Sequence, residues 1–209
     1  MTDLRTQLIA TARAMQPAGL NRGTAGNVSV RHGEGFYITP TGMAYDALCE
    51  DDIPLMRLDG THTGSRKPSS EWRFHRDLYA SRPEVGAVLH AHSPFAVSLA
   101  CLRRAIPPFH YMIARFGGDT IRCADYAIFG SPELSTAAVL AMQGRKGCLL
   151  ANHGLLVAGR DLADAFALAV ELEELCEQYW RTCQLGEPVL LSAAEMAAVL
   201  EKFQSYGQQ

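Results

Sequence analysis

The 209-residue sequence predicts a single α/β domain, residues 1–209, with a central mostly antiparallel or mixed β-sheet flanked by helices. Short apolar runs with strand periodicity alternate with longer segments of helical periodicity, which is the pattern of an α/β fold. Two early strands are separated only by the turn-prone residues 32–34, and such a hairpin joins antiparallel neighbours. No linker, repeat or charge block divides the chain, so one domain accounts for all of it.

The first helix is predicted from apolar residues at helical spacing between Leu4 and Met15, and Pro17 with Gly19 ends it. The same signals predict further helices at residues 69–81, 95–102, 132–143, 161–185 and 193–203. Alternating or β-branched apolar runs predict strands at residues 28–31, 35–39, 53–58, 85–92, 148–152 and 155–158.

The composition restricts the class of protein. With 48% hydrophobic and 20% charged residues, the chain can bury a sizeable core. A net charge of -3 provides no basic surface for nucleic acid, so a small-molecule partner is expected. No apolar run reaches the length of a membrane span, and the first residues lack a signal-peptide pattern, so we expect a cytoplasmic protein. The six cysteines form no Cys-x-x-Cys pair and are expected to be reduced, most of them in the core.

His90 and His92 lie two residues apart at the end of a predicted strand, so their side chains are expected on the same face of the sheet. Imidazole is a strong zinc ligand, and a catalytic zinc site typically has three protein ligands and one open position. The candidate third ligand is His153, which ends an apolar strand and precedes Gly154, a residue that allows a tight turn. Two ordinary polar side chains at a strand end are the alternative interpretation.

Three short polar turns are candidates for binding an anion such as phosphate. Ser69, Ser70 and Glu71 begin a predicted helix, where backbone N–H groups and hydroxyls can bind phosphate. Residues 23–27 and 39–42 combine glycine with asparagine or threonine donors. Helix capping and ordinary turns are the alternative explanations.

The other histidines are expected to have lesser roles. His75 lies four residues after Glu71 on the same helical face and is expected to make a supporting hydrogen bond. His32 and His62 lie in polar turns and are expected to be solvated. Nothing in the sequence indicates a role for His110.

Several longer motifs occur in order along the chain: LNRGTAGNVSVR, ITPTGM, KPSSEWRFH, the His90 and His92 pair, IPPFHYMIARFGGDTIRCADYAIFG, NHGLL and VLEKFQSYG. Through them the sequence resembles the class II aldolase and adducin family from the first helix to the tail. It is most similar to the L-fuculose-1-phosphate aldolase branch of that family.

The resemblance implies one zinc ion per chain, bound by His90, His92 and His153, with Glu71 as a further ligand that leaves to act as acid and base. It implies phosphate binding by Gly26, Asn27, Thr41, Gly42, Ser69 and Ser70. It also implies a homotetramer with active sites at subunit interfaces. There Tyr111 would reach the aldehyde half of a substrate in a neighbouring subunit, and Phe129 and Tyr206 would line the same site.

The implied activity is the reversible cleavage of a ketose 1-phosphate, expected to be L-fuculose 1-phosphate, into dihydroxyacetone phosphate and L-lactaldehyde. Zinc would act as a Lewis acid, and no lysine Schiff base is needed. Alternatives within the family are a sugar-phosphate 4-epimerase, a dehydratase and a decarboxylase. The HYM and GGD segments favour an aldolase. A non-catalytic adducin-like binding module is a further alternative, against which the complete set of metal ligands argues.

Overall fold

The computed structural model describes residues 3–205 and contains one continuous mixed β-sheet. Its strands are β1 (Asn27–His32), β2 (Gly35–Ile38), β3 (Leu55–Arg57), β4 (His62–Thr63), β5 (Ala87–Ala91), β6 (Cys123–Ala124), β7 (Gly147–Leu150) and β8 (Gly154–Gly159). The strand order is β4-β3-β2-β1-β5-β8-β7-β6, and every neighbouring pair is antiparallel except β6 with β7. The mixed, mostly antiparallel sheet predicted from the sequence is confirmed.

Helices cover both faces of the sheet. They are α1 (Leu4–Met15), α2 (Trp72–Ser81), α3 (Pro94–Ala100), α4 (Pro132–Ala141), α5 (Leu162–Leu185) and α6 (Ala193–Ser205), with short 3-10 helices at Tyr45–Ala47, Glu50–Asp52 and Tyr111–Phe116. Helices α1, α3 and α5 pack on one face, and α2 with α4 packs on the other, each over its own apolar core. None of the helices within residues 3–205 combines the length and apolarity needed to cross a bilayer.

Alternation along the central strands determines which side chains reach the α2 face. In β5, Leu89 belongs to the core under α5, whereas Val88 belongs to the core under α2. His90 therefore points to the α2 side, where its ring lies edge-on to Phe74 with centroids 5.5 Å apart. The antiparallel pairing of β1 with β5 places Asn27 opposite His90. Polar side chains from two adjacent strands are thus brought together under α2.

Some predicted boundaries differ from the structure. The helix predicted from residue 69 begins at Trp72, because residues 69–71 form a turn in which the Trp72 N–H donates to the Ser69 carbonyl at 3.1 Å. The strand predicted at 148–152 ends at Leu150, and residues 151–153 form a turn. Strands β4 and β6 were not predicted, because two residues are too few to show a periodicity. His32 and His62 are exposed as predicted but lie in strands β1 and β4.

The prediction that most cysteines lie in the core is wrong. All six are unpaired thiols, but only Cys148 and Cys176 are buried. The exposed ones stand at the ends of helical segments, where the chain turns at the surface: Cys49, Cys101 and Cys183.

Candidate active site

Four potential metal ligands converge at one end of the central strands. Glu71, His90, His92 and His153 each offer a ligand atom, and these atoms all lie within 4.8 Å of one another. Glu71 immediately precedes α2, His90 lies in β5, and His92 follows that strand. Because β5 pairs with β8, the turn that carries His153 lies beside them. The structure therefore brings together the three predicted histidines and the predicted carboxylate.

The hydrogen bonds of His90 define the character of this cluster. Its Nδ1 lies 2.8 Å from the carbonyl of Leu155, which only accepts, so Nδ1 carries the proton and Nε2 presents a lone pair. That Nε2 is 2.9 Å from Nε2 of His92 and 3.3 Å from Oε2 of Glu71. Nε2 of His153 is 3.1 Å from Oε1 of Glu71. Lone pairs and carboxylate oxygens that converge in this way can bind one shared cation. The interpretation as ordinary polar side chains does not explain why they converge.

Glu71 supplies the negative charge. Burial raises the pKa of its carboxyl, but positive charge on the neighbouring His90 and His153, when their rings are protonated, lowers it more strongly, and the resulting pKa is well below the usual range. Oε2 accepts a hydrogen bond from Asn27 Nδ2 at 3.0 Å. Oε1 is buried, and no hydrogen bond of good geometry reaches it from the described residues, which is costly for a carboxylate unless another partner binds there. One carboxylate with three imidazoles is a donor set that suits zinc.

The cluster is closed on one side and open on the other. Glu71 and His90 are buried, whereas His92 is exposed and His153 is half-buried. Although His92 reaches the surface, the surrounding protein removes part of its ring from water, and this desolvation, aided by the neighbouring histidines, lowers its pKa to about 4. The ring is therefore neutral near pH 7 and its lone pair is available. A metal here would have protein ligands behind it and accessible positions in front, as catalytic zinc sites do.

A cleft of about 470 Å³ opens beside the cluster. All three polar turns identified in the sequence reach it. The residues lining it are Thr24, Ala25, Gly26, Asn27, Pro40, Thr41, Gly42, Ser69, Ser70, Glu71, His92, Tyr126, Ala127, Ile128, Phe129, Asn152 and His153. Backbone hydrogen bonds from Thr41 N to the Lys67 carbonyl and from Ser69 N to the Thr39 carbonyl join two of the turns. None of the lining residues is Lys or Arg, so the cleft offers an anion neutral donors.

Glycine is required where the first turn meets the metal ligands. Gly26 has φ +77°, and a Cβ there would lie 2.5 Å from Nδ2 of Asn21 and 2.7 Å from the His90 carbonyl. The same Asn21 accepts the backbone N–H of His92 at 3.3 Å. The Tyr45 hydroxyl donates to the Gly26 carbonyl at 2.8 Å and supports the turn from behind. The conformation of residues 23–27 is therefore coupled to the strand end that carries both histidines.

The turn before β8 is built differently from the prediction. A Cβ on Gly154 would lie 2.3 Å from the Ala91 carbonyl, so this glycine permits close approach to β5 rather than a special backbone conformation. Asn152 is the residue in the left-handed region, with φ +53°, and its Oδ1 accepts from Arg103 Nε at 2.6 Å. Asparagine tolerates this conformation better than other side chains do, which is the signal that could have identified it.

Three predicted residues stand apart from the central group. Phe129 lines the cleft and is 67% exposed. Tyr111 begins a 3-10 helix, is 52% exposed and is not among the residues that line the cleft. Tyr206 lies outside the described residues.

Sequence reasoning did not assign Tyr126, Ala127 or Ile128, although all three line the cleft. They belong to an irregular segment without periodicity. The glycine that follows this segment holds it against the polar turns, because a Cβ on Gly130 would lie 2.6 Å from the Ser70 carbonyl. Position in the structure, rather than a local pattern, brings this segment into the site.

Comparison with known proteins places this geometry in context. A family profile described as the Class II Aldolase and Adducin N-terminal domain matches residues 6–180. The chain is 56% identical over 204 residues to a 5-methylthioribulose-1-phosphate/5-deoxyribulose-1-phosphate aldolase of Rhodospirillum rubrum, covering 98% of this chain and 92% of the relative. It is 47% identical to the L-fuculose phosphate aldolase of Escherichia coli K12, covering 98% of this chain and 95% of that enzyme.

A solved structure shows the same fold. The structure of an L-fuculose 1-phosphate aldolase superimposes with a TM-score of 0.94 at 39% sequence identity, and the match covers 98% of this chain and 97% of the other.

Proposed function

Because this chain belongs to the class II aldolase and adducin family, we propose that it is a zinc-dependent aldolase that reversibly cleaves a ketose 1-phosphate into dihydroxyacetone phosphate and an aldehyde. The observation that carries the proposal is the convergence of Glu71 with three histidines at the edge of a cleft lined by neutral anion-binding turns. The zinc ligands are His90, His92 and His153, with Glu71 completing the set before substrate binds.

The protein groups divide the work at the two ends of the bond that is cleaved. When bound, zinc supplies Lewis-acid stabilisation of the negative charge that develops on the ketose half. Glu71 returns a proton to C3 of dihydroxyacetone phosphate after cleavage and removes it in the reverse direction. Its low pKa provides the carboxylate form needed for proton removal. In bond formation, Tyr111 of a neighbouring subunit donates its phenol proton to the oxygen of the aldehyde, and in cleavage the phenolate takes that proton back from the hydroxyl group.

The phosphate is bound by uncharged groups in this proposal: Gly26, Asn27, Thr41, Gly42, Ser69 and Ser70. Backbone N–H groups next to glycines and serine hydroxyls can surround a phosphate without lysine or arginine. All six line one cleft beside the metal ligands, which is the arrangement that a 1-phosphate near the reacting carbons needs.

The aldehyde half is expected to end in an apolar group. The Rhodospirillum rubrum relative is named for 5-methylthio and 5-deoxy ribulose 1-phosphates, and the Escherichia coli relative for fuculose phosphate, a 6-deoxy sugar. All three carry a methyl or methylthio end. Ile128 and Phe129 are each 67% exposed and line the cleft, where they provide apolar contact. We therefore propose 5-methylthioribulose and 5-deoxyribulose 1-phosphates beside L-fuculose 1-phosphate, and the higher identity favours the ribulose substrates.

A comparison of kcat/KM for zinc-loaded protein tests this function. We expect cleavage of the three apolar-ended ketose 1-phosphates, with weaker cleavage of unmodified ribulose 1-phosphate and none of ribulose 5-phosphate. Products are identified by mass, and dihydroxyacetone phosphate is measured with a coupled reductase. An epimerised sugar without dihydroxyacetone phosphate would identify a 4-epimerase instead. Loss of carbon dioxide from a sugar-acid phosphate would identify a decarboxylase, and zinc binding without turnover would favour a binding module.

Tyr111→Phe is expected to lower aldol cleavage by about 10² to 10⁴, the usual effect of losing a general acid or base. Proton exchange on dihydroxyacetone phosphate alone should change much less, because the phenol acts on the aldehyde half. Its exposure and its position outside the cleft of its own chain support action in a neighbouring subunit of a homotetramer.

Subunit mixing tests this shared site. Tyr111→Phe and Glu71→Gln chains, dissociated and reassembled together, should regenerate active sites, since each site draws the two residues from different chains. Each variant reassembled alone is the control. If mass measurement confirms mixed oligomers that are no more active than the two parents, the shared-site assignment is wrong.

A further inference from the structure

A chain of buried hydrogen bonds ends at Glu71. The Tyr79 hydroxyl lies 2.8 Å from Ser29 Oγ, which lies 2.7 Å from Nδ1 of His75. Nε2 of His75 lies 2.5 Å from Oδ1 of Asn27, and Nδ2 of Asn27 donates to Oε2 of Glu71 at 3.0 Å. Each of the five residues is at most 6% exposed. We call this set the Tyr79–Glu71 chain.

The fold builds this chain from two facing elements. Helix α2 and the residue before it supply Glu71, His75 and Tyr79, which lie four residues apart on one helical face. Strand β1 supplies Asn27 and Ser29, two residues apart on one face of the sheet. Helix and strand side chains alternate along the chain of bonds, so the spacing of α2 over β1 determines every link.

The donor in each hydrogen bond can be identified, because some of the groups can only accept a hydrogen bond. The ionised Glu71 carboxylate has no proton, so Asn27 must face it with the amide nitrogen and turn Oδ1 towards His75. Oδ1 in turn only accepts, so His75 must donate from Nε2.

The outer links then have only one arrangement. Burial, with a smaller contribution from His90, lowers the pKa of His75 to about 3, so the ring is neutral and Nδ1 is an acceptor. Ser29 therefore donates to His75, and Tyr79 donates to Ser29. All four hydrogen bonds point towards Glu71.

We propose that His75 is a positioning residue for Glu71, locked by Ser29 and Tyr79 as the Nε2–H tautomer so that Asn27 always presents its N–H to the carboxylate. A donor fixed at Oε2 leaves Oε1, beside His153, as the oxygen that binds a metal or carries a proton. An Asn27 amide turned the other way would place oxygen against oxygen. The kinetic part of this proposal rests on the proposed function, whereas the tautomer does not.

Long-range proton–nitrogen NMR correlations of His75 in the full-length protein, with zinc and after chelation, test the tautomer directly. We expect a protonated Nε2 and an unprotonated Nδ1 near neutral pH in both samples. A ring protonated at Nδ1, or at both nitrogens, would overturn the proposal even if the enzyme were active. Because this measurement needs no substrate, it stands if the proposed aldolase activity fails.

The kinetic test compares two replacements of His75. His75→Phe fills the space without a hydrogen-bond donor. It should slow solvent deuterium exchange into dihydroxyacetone phosphate by about 10- to 100-fold, the usual effect of losing an outer residue that orients a metal ligand through hydrogen bonds. His75→Gln places an amide N–H near the former Nε2 and should recover most of that rate. KM for dihydroxyacetone phosphate should change less than kcat in both variants.

The outcomes separate positioning from simple support of the fold. If folded His75→Phe protein exchanges at the native rate, or if only KM changes, the proposal is wrong. If His75→Phe does not fold, Ser29→Ala provides the second test. In that variant Nδ1 of His75 loses its hydrogen-bond donor, so the exchange rate should fall while the fold is retained. A Ser29→Ala protein with the native rate and the native His75 tautomer would contradict the lock.

Discussion

Replacing His92 with alanine is expected to remove the metal and reduce aldol cleavage to background. Three imidazoles converge with Glu71, and without His92 only two imidazoles would hold the zinc once Glu71 leaves it to act as acid and base, one fewer than the three protein ligands of a typical catalytic site. The fold should persist, because His92 is exposed and follows β5 rather than forming part of it. The measurement is zinc per chain after dialysis, by atomic emission, together with the rate of ketose 1-phosphate cleavage and the circular dichroism spectrum.

The control for this variant is His62→Ala. His62 is an exposed histidine in edge strand β4 and does not line the cleft, so this protein should retain about one zinc per chain and native activity. The triple variant at His90, His92 and His153 provides the stronger test. Stoichiometric zinc retained in the triple alanine variant would refute the assignment of these ligands.

Glu71→Gln is expected to slow deuterium exchange into dihydroxyacetone phosphate by about 10² to 10⁴, as for loss of a general acid or base. Glutamine keeps the size of the side chain and can still accept from Asn27, so the fold should survive. The histidines remain, so zinc should be retained, with weaker affinity because one negative charge is lost. Exchange is followed by proton NMR of dihydroxyacetone phosphate in deuterated buffer.

Asp52→Asn is the matched control, because Asp52 is also a buried carboxylate but pairs with Arg66 at 2.8 Å and does not line the cleft. Its exchange rate per folded molecule should be native. Exchange by zinc-loaded Glu71→Gln protein at the native rate would exclude Glu71 from the proton transfer.

The sequence predicted the parts of the site that follow a local period. His90 and His92 share a face because strand side chains alternate, and His75 lies under Glu71 because helical residues four apart are neighbours. The interpretation of Glu71 as a helix cap was also open from the sequence. In the structure Glu71 is the N-cap residue of α2, but its side chain makes no capping bond and points to the histidines instead.

The remaining parts of the site depend on packing between distant segments. No sequence pattern predicts the hydrogen bond between Asn27 and His75, because it forms only when α2 lies over β1. The segment with Ile128 reaches the cleft through an irregular path that no periodicity describes. The proposed place of Tyr111 in a site depends on a second chain, which a single sequence cannot locate.

The two outermost strands limit how copies of this chain can associate. Strands β4 and β6 form the edges of the sheet, and each is two residues long. An edge this short offers few free backbone N–H and C=O groups, so an added strand from another molecule would gain little hydrogen bonding. Copies of the chain should therefore associate through side chains on helices and loops, and overexpressed protein should resist the strand-to-strand aggregation that long open edges promote.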